Sequence, residues 1–178
     1  MNFPIRKMRD GDRGYVIKSW VLSLRSQFPY SEMCSDATAK YSKRVEALID
    51  TADVLIAHDP TSEDLIYGFI CYEQGKYLGV DAPTLHYVYT RRSFRKNSIA
   101  NQLFAAAFPG KQAITYTHLT KAIHHAKLKE KWNLQSYDPY YVEGALYSRA
   151  RQLDAKAIYR DKTVLHSSVD GDSRSPSS

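Results

Sequence analysis

Apolar side chains recur along this chain at two spacings, one typical of helices and one typical of strands. Apolar residues three and four positions apart at 16–24, 41–49 and 99–107 predict three helices, each with one buried stripe. Asp10 or Asp12 stands just before the first stripe and is placed to cap that helix. The three segments therefore predict amphipathic helices that each cover a core with one face.

Short apolar runs bounded by turn residues predict the strands. The run at 65–73 is apolar on both alternating faces, which predicts a central strand covered on both sides. Residues 120–132 and 147–159 have weaker helical patterns, and the first of these segments carries many lysines. The other predicted strands are 3–8, 53–59, 82–90, 112–118 and 137–146.

The order of these elements is strand, two helices, three strands, helix, strand, helix and strand. That order describes a mixed α/β chain and differs from a regular βαβ alternation. A length of 178 residues fits a single core, so one domain is expected over residues 1–166. The polar composition of residues 167–178 predicts a disordered tail.

The net charge and the cysteine content restrict the possible partners and the cellular compartment only slightly. The 25 Lys and Arg exceed the 19 Asp and Glu, and the resulting charge of +6 favours anionic partners such as phosphates. The excess is too mild to indicate nucleic-acid binding alone. Cys34 and Cys71 lie far apart and fit a reducing compartment. Neither a secretory signal nor an apolar run of about 20 residues is evident, so a cytoplasmic location is expected.

A cluster of cations lies between the end of the strand at 82–90 and the start of the third helix. A helix N-terminus presents unpaired backbone N–H groups and partial positive charge, and nearby cations add charge-assisted bonds to an anion. The small residues Ser98 and Ala100 would let a phosphate approach the backbone. A solvated turn would have the same composition, so the residues alone leave both interpretations open. We call residues 91–98 the basic turn; its cations are Arg91, Arg92, Arg95 and Lys96.

The segment LHYVYTRRSFRKNSIANQLF resembles the acyl-CoA-binding strand, loop and helix of the GCN5-related N-acetyltransferase (GNAT) superfamily. In that superfamily the loop reads Arg/Gln-x-x-Gly-x-Gly/Ala after an apolar strand. Here the match runs from Arg95 to Ala100, and Leu103 and Phe104 match the apolar positions of the helix. The resemblance covers residues 3–142 and extends to small GNAT-like proteins encoded by tailed bacteriophages.

The resemblance implies a mixed, mostly antiparallel central sheet flanked by helices, with acetyl-CoA or another acyl-CoA bound across two splayed strands. Backbone groups of Val88 and Thr90 are expected to pair with the pantetheine arm. The guanidinium of Arg91, Arg92 or Arg95 is expected to add charge beside the pyrophosphate, which would accept bonds from the amides that follow. Those amides belong to Lys96, Asn97, Ser98, Ile99 and Ala100.

Two positions depart from the superfamily pattern. Ser98 replaces the central glycine of the loop, and Lys129 stands where a tyrosine proton donor is usual. The candidates for proton transfer are therefore drawn from other polar residues near strand ends. Each is also explained by a structural or solvated role. These candidates are Glu73, His86, His118 and Tyr137.

Three interpretations of function remain open at this level. The first is an acyl-CoA-dependent N-acyltransferase that transfers acetyl to an unidentified amine. The second is a GNAT-like binding or assembly protein that has lost catalysis, an interpretation that Ser98 and Lys129 favour. The third is a nucleic-acid-directed protein, including a base-modifying acyltransferase, that uses the basic turn and the Lys-rich segment 120–132. The His and Cys spacing matches no metal-ligand pattern, so no metal is expected.

Overall fold

The computed structural model divides the chain into two compact units, Met1–Tyr141 and Val142–Ser178. Every described residue belongs to the first unit. The predicted helix at 147–159, the tail at 167–178 and the domain limit at 166 lie outside the described residues and stay predictions. The structure describes residues 2–27, 29–77, 80–81, 83–110, 113–120, 123 and 126–138.

Helices and strands alternate irregularly along the described residues. The helices are α1 (Arg13–Arg25), α2 (Ser35–Thr51), α3 (Ile99–Ala107) and α4 (Ala126–Lys131). Single 3₁₀ turns occupy Asp10–Asp12, Tyr30–Glu32 and Arg92–Phe94. The strands are β1 (Ile5–Lys7), β2 (Asp53–His58), β3 (Ile66–Glu73), β4 (Lys76–Tyr77), β5 (Val80–Asp81), β6 (Thr84–Thr90), β7 (Ile114–Tyr116) and β8 (Leu134–Tyr137).

Six strands form one sheet in the order β1-β2-β3-β6-β7-β8, and β4 pairs with β5 in a separate two-stranded ribbon. The β1-β2, β2-β3 and β3-β6 pairs are antiparallel, whereas β6-β7 and β7-β8 are parallel. The predicted mixed, mostly antiparallel sheet flanked by helices is thus confirmed.

Each face of the sheet is covered by its own apolar cluster. One cluster joins α1 and α2 to the sheet through Trp20, Val45 and Phe69. The other joins α3 and the residues around α4 to the opposite face through Leu103 and Trp132. β3 is buried from Ile66 to Tyr72, as the two-sided apolar run predicts. Burial of each such side chain contributes about 1.5–3 kcal/mol, so the two clusters hold the helices to the sheet.

The predicted strand at 137–146 lies mostly outside the described residues and stays a prediction there; β8 begins earlier, at Leu134, and pairs with β7. One local prediction was wrong. Asp12 precedes α1, but its side chain does not cap the helix amides. Its carboxylate accepts the Arg9 N–H at 2.8 Å and the Arg6 guanidinium at 2.6 Å.

Candidate active site

β6 and β7 separate part-way along their length. Thr84 pairs with Thr115 and Leu85 with Tyr116, and within the described residues the ladder between the two strands ends there. His86 is the extra residue of a bulge in β6, because Cys71 of β3 pairs with Tyr87 while its neighbour Tyr72 pairs with Leu85. A bulge bends its strand and raises the local twist. The bulge therefore lies where β6 turns away from β7 and opens a gap in the sheet.

The open part of β6 turns backbone polar groups toward this gap. The Arg91 N–H donates to the Tyr67 carbonyl of β3 at 2.8 Å, which fixes the alternation of the β3-β6 ladder. In an antiparallel ladder, alternate residues point their N–H and C=O groups away from the partner strand. Val88 and Thr90 occupy those alternate positions. Their N–H and C=O groups therefore point into the gap.

A cleft of about 620 Å³ occupies the gap. Its lining comes from both faces of the sheet: Ser23 and Ser26 belong to the C-terminal end of α1, whereas Ala100 and Trp132 lie on the α3 side. β6 contributes Tyr87–Thr90 between them. A ligand can therefore reach the backbone of β6 from either side of the sheet.

The basic turn closes one end of the cleft with unusual backbone geometry. Lys96 has φ of 74° and Ser98 has φ of 61° with ψ of 13°, so both lie in the left-handed region. Alternating backbone of this kind directs successive N–H groups toward one point, a geometry that binds anions. Arg95, Lys96 and Ser98 are exposed and line the cleft. The turn can therefore bring amides, cations and the start of α3 to the same anion.

Two contacts fix the basic turn to the sheet. Phe94 stacks on Tyr67 with ring centroids 3.9 Å apart, and the Arg95 Nε donates to the Thr90 carbonyl at 3.4 Å. Gly68 permits a closer approach, since a Cβ there would lie 2.5 Å from the Tyr89 carbonyl oxygen. The same Cβ would lie 3.2 Å from Cγ2 of Ile99, the first residue of α3. The position of the turn thus depends on the absence of a side chain at residue 68.

A buried chain of polar side chains lies behind the cleft; we call it the relay. It begins at Glu73, whose Oε1 lies 3.4 Å from His86 Nε2. His86 Nδ1 lies 3.2 Å from Thr117 Oγ1, which in turn lies 2.8 Å from His118 Nδ1. His118 Nε2 then meets the Tyr41 hydroxyl at 2.7 Å. The Trp20 indole N–H donates to that hydroxyl at 2.8 Å and ends the chain.

The two ring nitrogens of His118 have different partners in the relay. An indole N–H can only donate, so the Tyr41 hydroxyl accepts from Trp20, and a further hydrogen bond joins that hydroxyl to His118 Nε2. In the neutral His118 ring one nitrogen donates and the other accepts. Burial, followed by the nearby His86 and Arg44, lowers the pKa of His118 to about 3. His118 is therefore neutral at pH 7 and is a weak proton acceptor.

A separate polar pair lies at the α1 end of the cleft. The Tyr87 hydroxyl is 2.9 Å from Ser23 Oγ, and Ser23 Oγ donates to the Trp20 carbonyl at 3.1 Å. Because Ser23 has one proton and uses it there, the Tyr87 hydroxyl is the donor in the first bond. Burial raises the pKa of Tyr87 to about 12, so the phenol keeps its proton at pH 7.

The architecture matches solved acetyltransferase structures. A protein from Corynebacterium glutamicum, described as histone acetyltransferase HPA2 and related acetyltransferase, aligns with a TM-score of 0.55 and 15% identity over 74% of this chain and 83% of its own. The ribosomal-protein-alanine N-acetyltransferase of Brucella melitensis aligns with a TM-score of 0.51 and 15% identity over 82% of this chain and 100% of its own. The chain has the GNAT fold.

A third match is a transcriptional regulator from Bacillus halodurans, with a TM-score of 0.52 and 16% identity over 81% of this chain and 97% of its own. No protein-family model matches the sequence, and no curated protein matches it either. The matches carry no support for a bacteriophage origin. At these sequence identities the matches show the GNAT fold and do not identify a substrate.

Most of the residues predicted to hold a cofactor line the cleft of this GNAT fold. Asn97 is exposed and is not among the lining residues. Their role in binding stays a prediction, because the geometry shows their position alone. The lining members of the predicted set are Val88, Thr90, Arg95, Lys96, Ser98, Ile99 and Ala100.

The residues predicted to transfer protons lie elsewhere. Glu73, His86 and His118 are brought together in the relay and are not among the lining residues of the cleft. Tyr137, at the end of β8, is 42% exposed and its ring centroid lies 5.3 Å from that of Tyr116. Their catalytic roles stay predictions.

Sequence reasoning missed Tyr87 and Ser23. Tyr87 reads as one more buried aromatic residue of β6, and Ser23 as a polar interruption beside the apolar stripe of α1. Lys129, which replaces the usual tyrosine, places its Nζ 5.3 Å from the centre of the Tyr116 ring. The sequence signal that was available is the pair of serines, Ser23 and Ser26, one turn apart at the end of α1.

Neither metal ligands nor a membrane span is apparent in the described ranges. Among those residues, no group of three or more His, Cys, Asp or Glu side chains could hold a metal ion. No helix found there is both long and apolar enough to cross a membrane. His124 and His125 fall outside the described residues.

Proposed function

We propose that the protein is an acyl-CoA-dependent N-acyltransferase that transfers acetyl from acetyl-CoA to an amine. One observation carries the proposal: the gap between β6 and β7 and the left-handed basic turn open onto the same cleft. A pantetheine arm needs extended backbone groups, and a pyrophosphate needs convergent amides with nearby cations. The cleft offers both along one edge of β6.

The residues present fit an acyl-CoA in size and charge. Val88 and Thr90 turn backbone N–H and C=O groups into the gap, which suits an amide-rich arm. Arg95 and Lys96 supply the positive charge, and Ser98 and Ala100 are small enough for phosphates to approach the amides of α3. An acyl-CoA supplies an activated thioester when bound. The chain's own contribution is to align that thioester and to exclude water around it.

A thermal-shift and calorimetric titration with acetyl-CoA tests the proposal. A ligand that binds only the folded state stabilises it by about 2.7 kcal/mol at one hundred times its Kd, so the melting temperature is expected to rise. The double variant Arg95→Ala, Ser98→Glu is expected to remove this response without unfolding the protein. It deletes a cation from the mouth of the cleft and places a carboxylate where the pyrophosphate would lie.

A matched control separates this effect from a change in net charge. The variant Lys40→Ala, Ala39→Glu makes the same charge change on the exposed surface of α2 and is expected to bind acetyl-CoA like the parent. Unaltered acetyl-CoA affinity in the Arg95, Ser98 variant would mean that the basic turn does not hold the cofactor. No response of the folded parent protein to millimolar acetyl-CoA would refute the proposed function.

The binding or assembly protein remains the second candidate, since none of the predicted proton-transfer groups Glu73, His86, His118 and Tyr137 is among the described lining residues of the cleft. It predicts acetyl-CoA binding without thiol release for any amine. The nucleic-acid interpretation is also still a prediction: Lys131 is exposed, whereas the side chains of Lys121 and Lys127 lie outside the described set. A DNA titration at two salt concentrations tests it, because phosphate contacts weaken as salt rises.

A further inference from the structure

At the α1 end of the cleft, the serine hydroxyls donate their protons to the protein backbone. Ser23 Oγ donates to the Trp20 carbonyl at 3.1 Å, and Ser26 Oγ donates to the Ser23 carbonyl at 2.7 Å. The Ser23 carbonyl belongs to the last turn of α1, where backbone acceptors lack partners within the helix, and the Trp20 carbonyl lies one turn earlier. Each serine therefore commits its only proton to the helix. What its oxygen can still offer a ligand is lone pairs.

The Tyr87 hydroxyl, on the opposite wall of the cleft, also uses its proton within the protein. Its hydroxyl donates to Ser23 Oγ at 2.9 Å, so its oxygen also keeps acceptor capacity. Its ring is held by stacking on Trp20, with centroids 4.8 Å apart and planes inclined by 12°. A fixed ring and a committed proton give the Tyr87 oxygen one orientation. This end of the cleft therefore suits a ligand that brings N–H or O–H donors.

The two ends of the cleft differ in charge. The cations that line it, Arg95 and Lys96, lie beside Thr90, three residues and about 10 Å along β6 from Tyr87. Among the described lining residues, none carries a carboxylate. An alkylammonium ion would lose its hydration in this cleft without gaining an anionic partner, and it would face the positive charges of Arg95 and Lys96. A neutral amine avoids both costs.

Aromatic rings contribute much of the apolar surface of the cleft. Tyr87 and Tyr89 lie on the α1 face, and Phe94 and Trp132 on the α3 face. Trp132 is fixed by stacking on Phe104 at 4.4 Å and by its indole N–H, which donates to Asn101 Oδ1 at 3.2 Å. Rigid rings of this kind favour flat, unsaturated ligands over flexible aliphatic chains.

We propose that the acceptor is a weakly basic aromatic amine, bound with its NH₂ group donating to the oxygens of Tyr87 and Ser26. This inference rests on the proposed acyltransferase function. The amine nitrogen forms a bond to the thioester carbonyl carbon, and the carbon–sulfur bond breaks. The proton lost by nitrogen ends on the CoA sulfur, so an arylamine and acetyl-CoA give an N-acetyl arylamine and CoA.

An amine of this class removes the need for a base in the cleft. Its conjugate acid is a strong enough acid that the nitrogen is already neutral at pH 7, and its lone pair can attack directly. This agrees with the location of Glu73, His86 and His118 in the relay. An alkylamine would arrive as an ammonium ion and would first have to lose a proton to a base.

Thiol-release assays with two matched acceptors test the inference. 4-Methoxyaniline and 4-methoxybenzylamine share their ring and substituent, but only the second is an ammonium ion at pH 7. With acetyl-CoA saturating, we expect kcat/KM for 4-methoxyaniline to exceed that for 4-methoxybenzylamine by at least about tenfold. A higher or equal value for the benzylamine would overturn the assignment.

The variant Tyr87→Phe keeps the ring and removes the oxygen. We expect kcat/KM for 4-methoxyaniline to fall about fivefold to tenfold, the loss typical of one hydrogen bond, with acetyl-CoA affinity unchanged. Tyr72→Phe is the control, because Tyr72 lies on β3 and is not part of the cleft lining. It is expected to retain the parent kcat/KM. A Tyr87→Phe protein with the parent kcat/KM would show that this oxygen does not hold the amine.

Failure of this inference is distinguishable from failure of the proposed function. If the parent binds acetyl-CoA and prefers the benzylamine, the acyltransferase function stands and the acceptor class is wrong. Binding of acetyl-CoA with transfer to neither amine also rejects the acceptor class. If acetyl-CoA does not bind at all, both proposals are rejected.

Discussion

The basic turn and the relay both contact β6, but the polar groups of the relay are buried and bonded to one another, whereas those of the basic turn are exposed. In the relay, Thr117 and His118 pass hydrogen bonds from one buried side chain to the next. In the basic turn, Lys96 and Ser98 leave charge and backbone amides exposed beside a cleft. Buried polar groups must be satisfied by the protein itself, whereas groups at a ligand site can be satisfied by the ligand. The buried histidines His86 and His118 are therefore hydrogen-bonded within the protein, whereas Arg95 and Lys96 face the cleft.

The contrast divides β6 into two halves. Its first half, Thr84–His86, is held on both sides, by β3 and by β7 together with the Thr117 side chain. Its second half, Tyr87–Thr90, is paired with β3 and turns its other edge to the cleft. Where β6 and β7 diverge and their backbone ladder ends, the hydrogen bond between the His86 and Thr117 side chains of the relay still joins the two segments. A rigid first half thus fixes the geometry of an open second half.

Gly68→Ala should disrupt the open half of β6 most strongly. The added Cβ would lie 2.5 Å from the Tyr89 carbonyl oxygen, which is backbone and cannot rotate away. We expect the free energy of unfolding to fall by about 2–3 kcal/mol, as for an overpacked core, and acetyl-CoA binding to weaken as α3 shifts. Urea unfolding monitored by circular dichroism measures the first effect.

Gly14→Ala is the matched control for that substitution. Gly14 lies in α1, and a Cβ added there would have no neighbouring atom within 4 Å, so alanine meets no obstacle. Alanine is the better helix former, and stability should rise by about 0.5–1 kcal/mol. Equal destabilisation by both substitutions would show that the contact at Tyr89 is not the cause.

The relay makes stability depend on pH through His118. Its folded pKa of about 3 lies below the ordinary value of 6.5, so the unfolded chain binds more protons between these values. Stability therefore falls as the pH drops below about 6.5. Between pH 7 and pH 5 the loss from this group should be about 2 kcal/mol.

Urea unfolding at pH 7, 6 and 5 measures this loss, with His118→Gln as the comparison. Glutamine has both a donor and an acceptor to offer Tyr41 and Thr117, but it does not titrate. The variant should have lower stability at pH 7 and a shallower decline toward pH 5. Parallel pH dependences for the parent and the variant would contradict the assignment of the slope to His118.

Ser98→Gly is the smallest expected effect and tests the strain in the basic turn. A side chain at φ of 61° costs energy that glycine avoids, while glycine adds entropy to the unfolded chain. The net gain should be about 0.5–1 kcal/mol, visible as a small rise in melting temperature. Asn97→Gly, at the neighbouring position, is expected to lower it. A gain at both positions would mean that φ at residue 98 is not the reason.

The sequence is most informative where structure is local. The stripes of α1, α2 and α3 are correct because each repeats over several turns, and the two-sided burial of β3 follows from its own composition. The sequence did not predict that β8 begins at Leu134, because strand pairing depends on residues far away in the chain.

The site was predictable only in its local part. The loop match from Arg95 to Ala100 lies within six consecutive residues, so it can be read directly. The relay joins residues far apart in the chain, such as Tyr41 with His118 and Glu73 with His86, and no local pattern marks such pairs. The superfamily motif has a glycine where this chain has Ser98. The reason for that preference becomes clear only from the structure, because residue 98 has a positive φ, which glycine adopts most easily.

The chain contains two tryptophans, and the sheet separates them. Trp20 is sealed against Tyr87 on the α1 face, whereas Trp132 stacks on Phe104 and borders the cleft on the α3 face. Each side of the molecule thus carries its own natural fluorophore. Replacing either indole with phenylalanine would yield a protein with one fluorescent tryptophan, with Trp132 reporting events at the cleft and Trp20 reporting the packing of the α1 face.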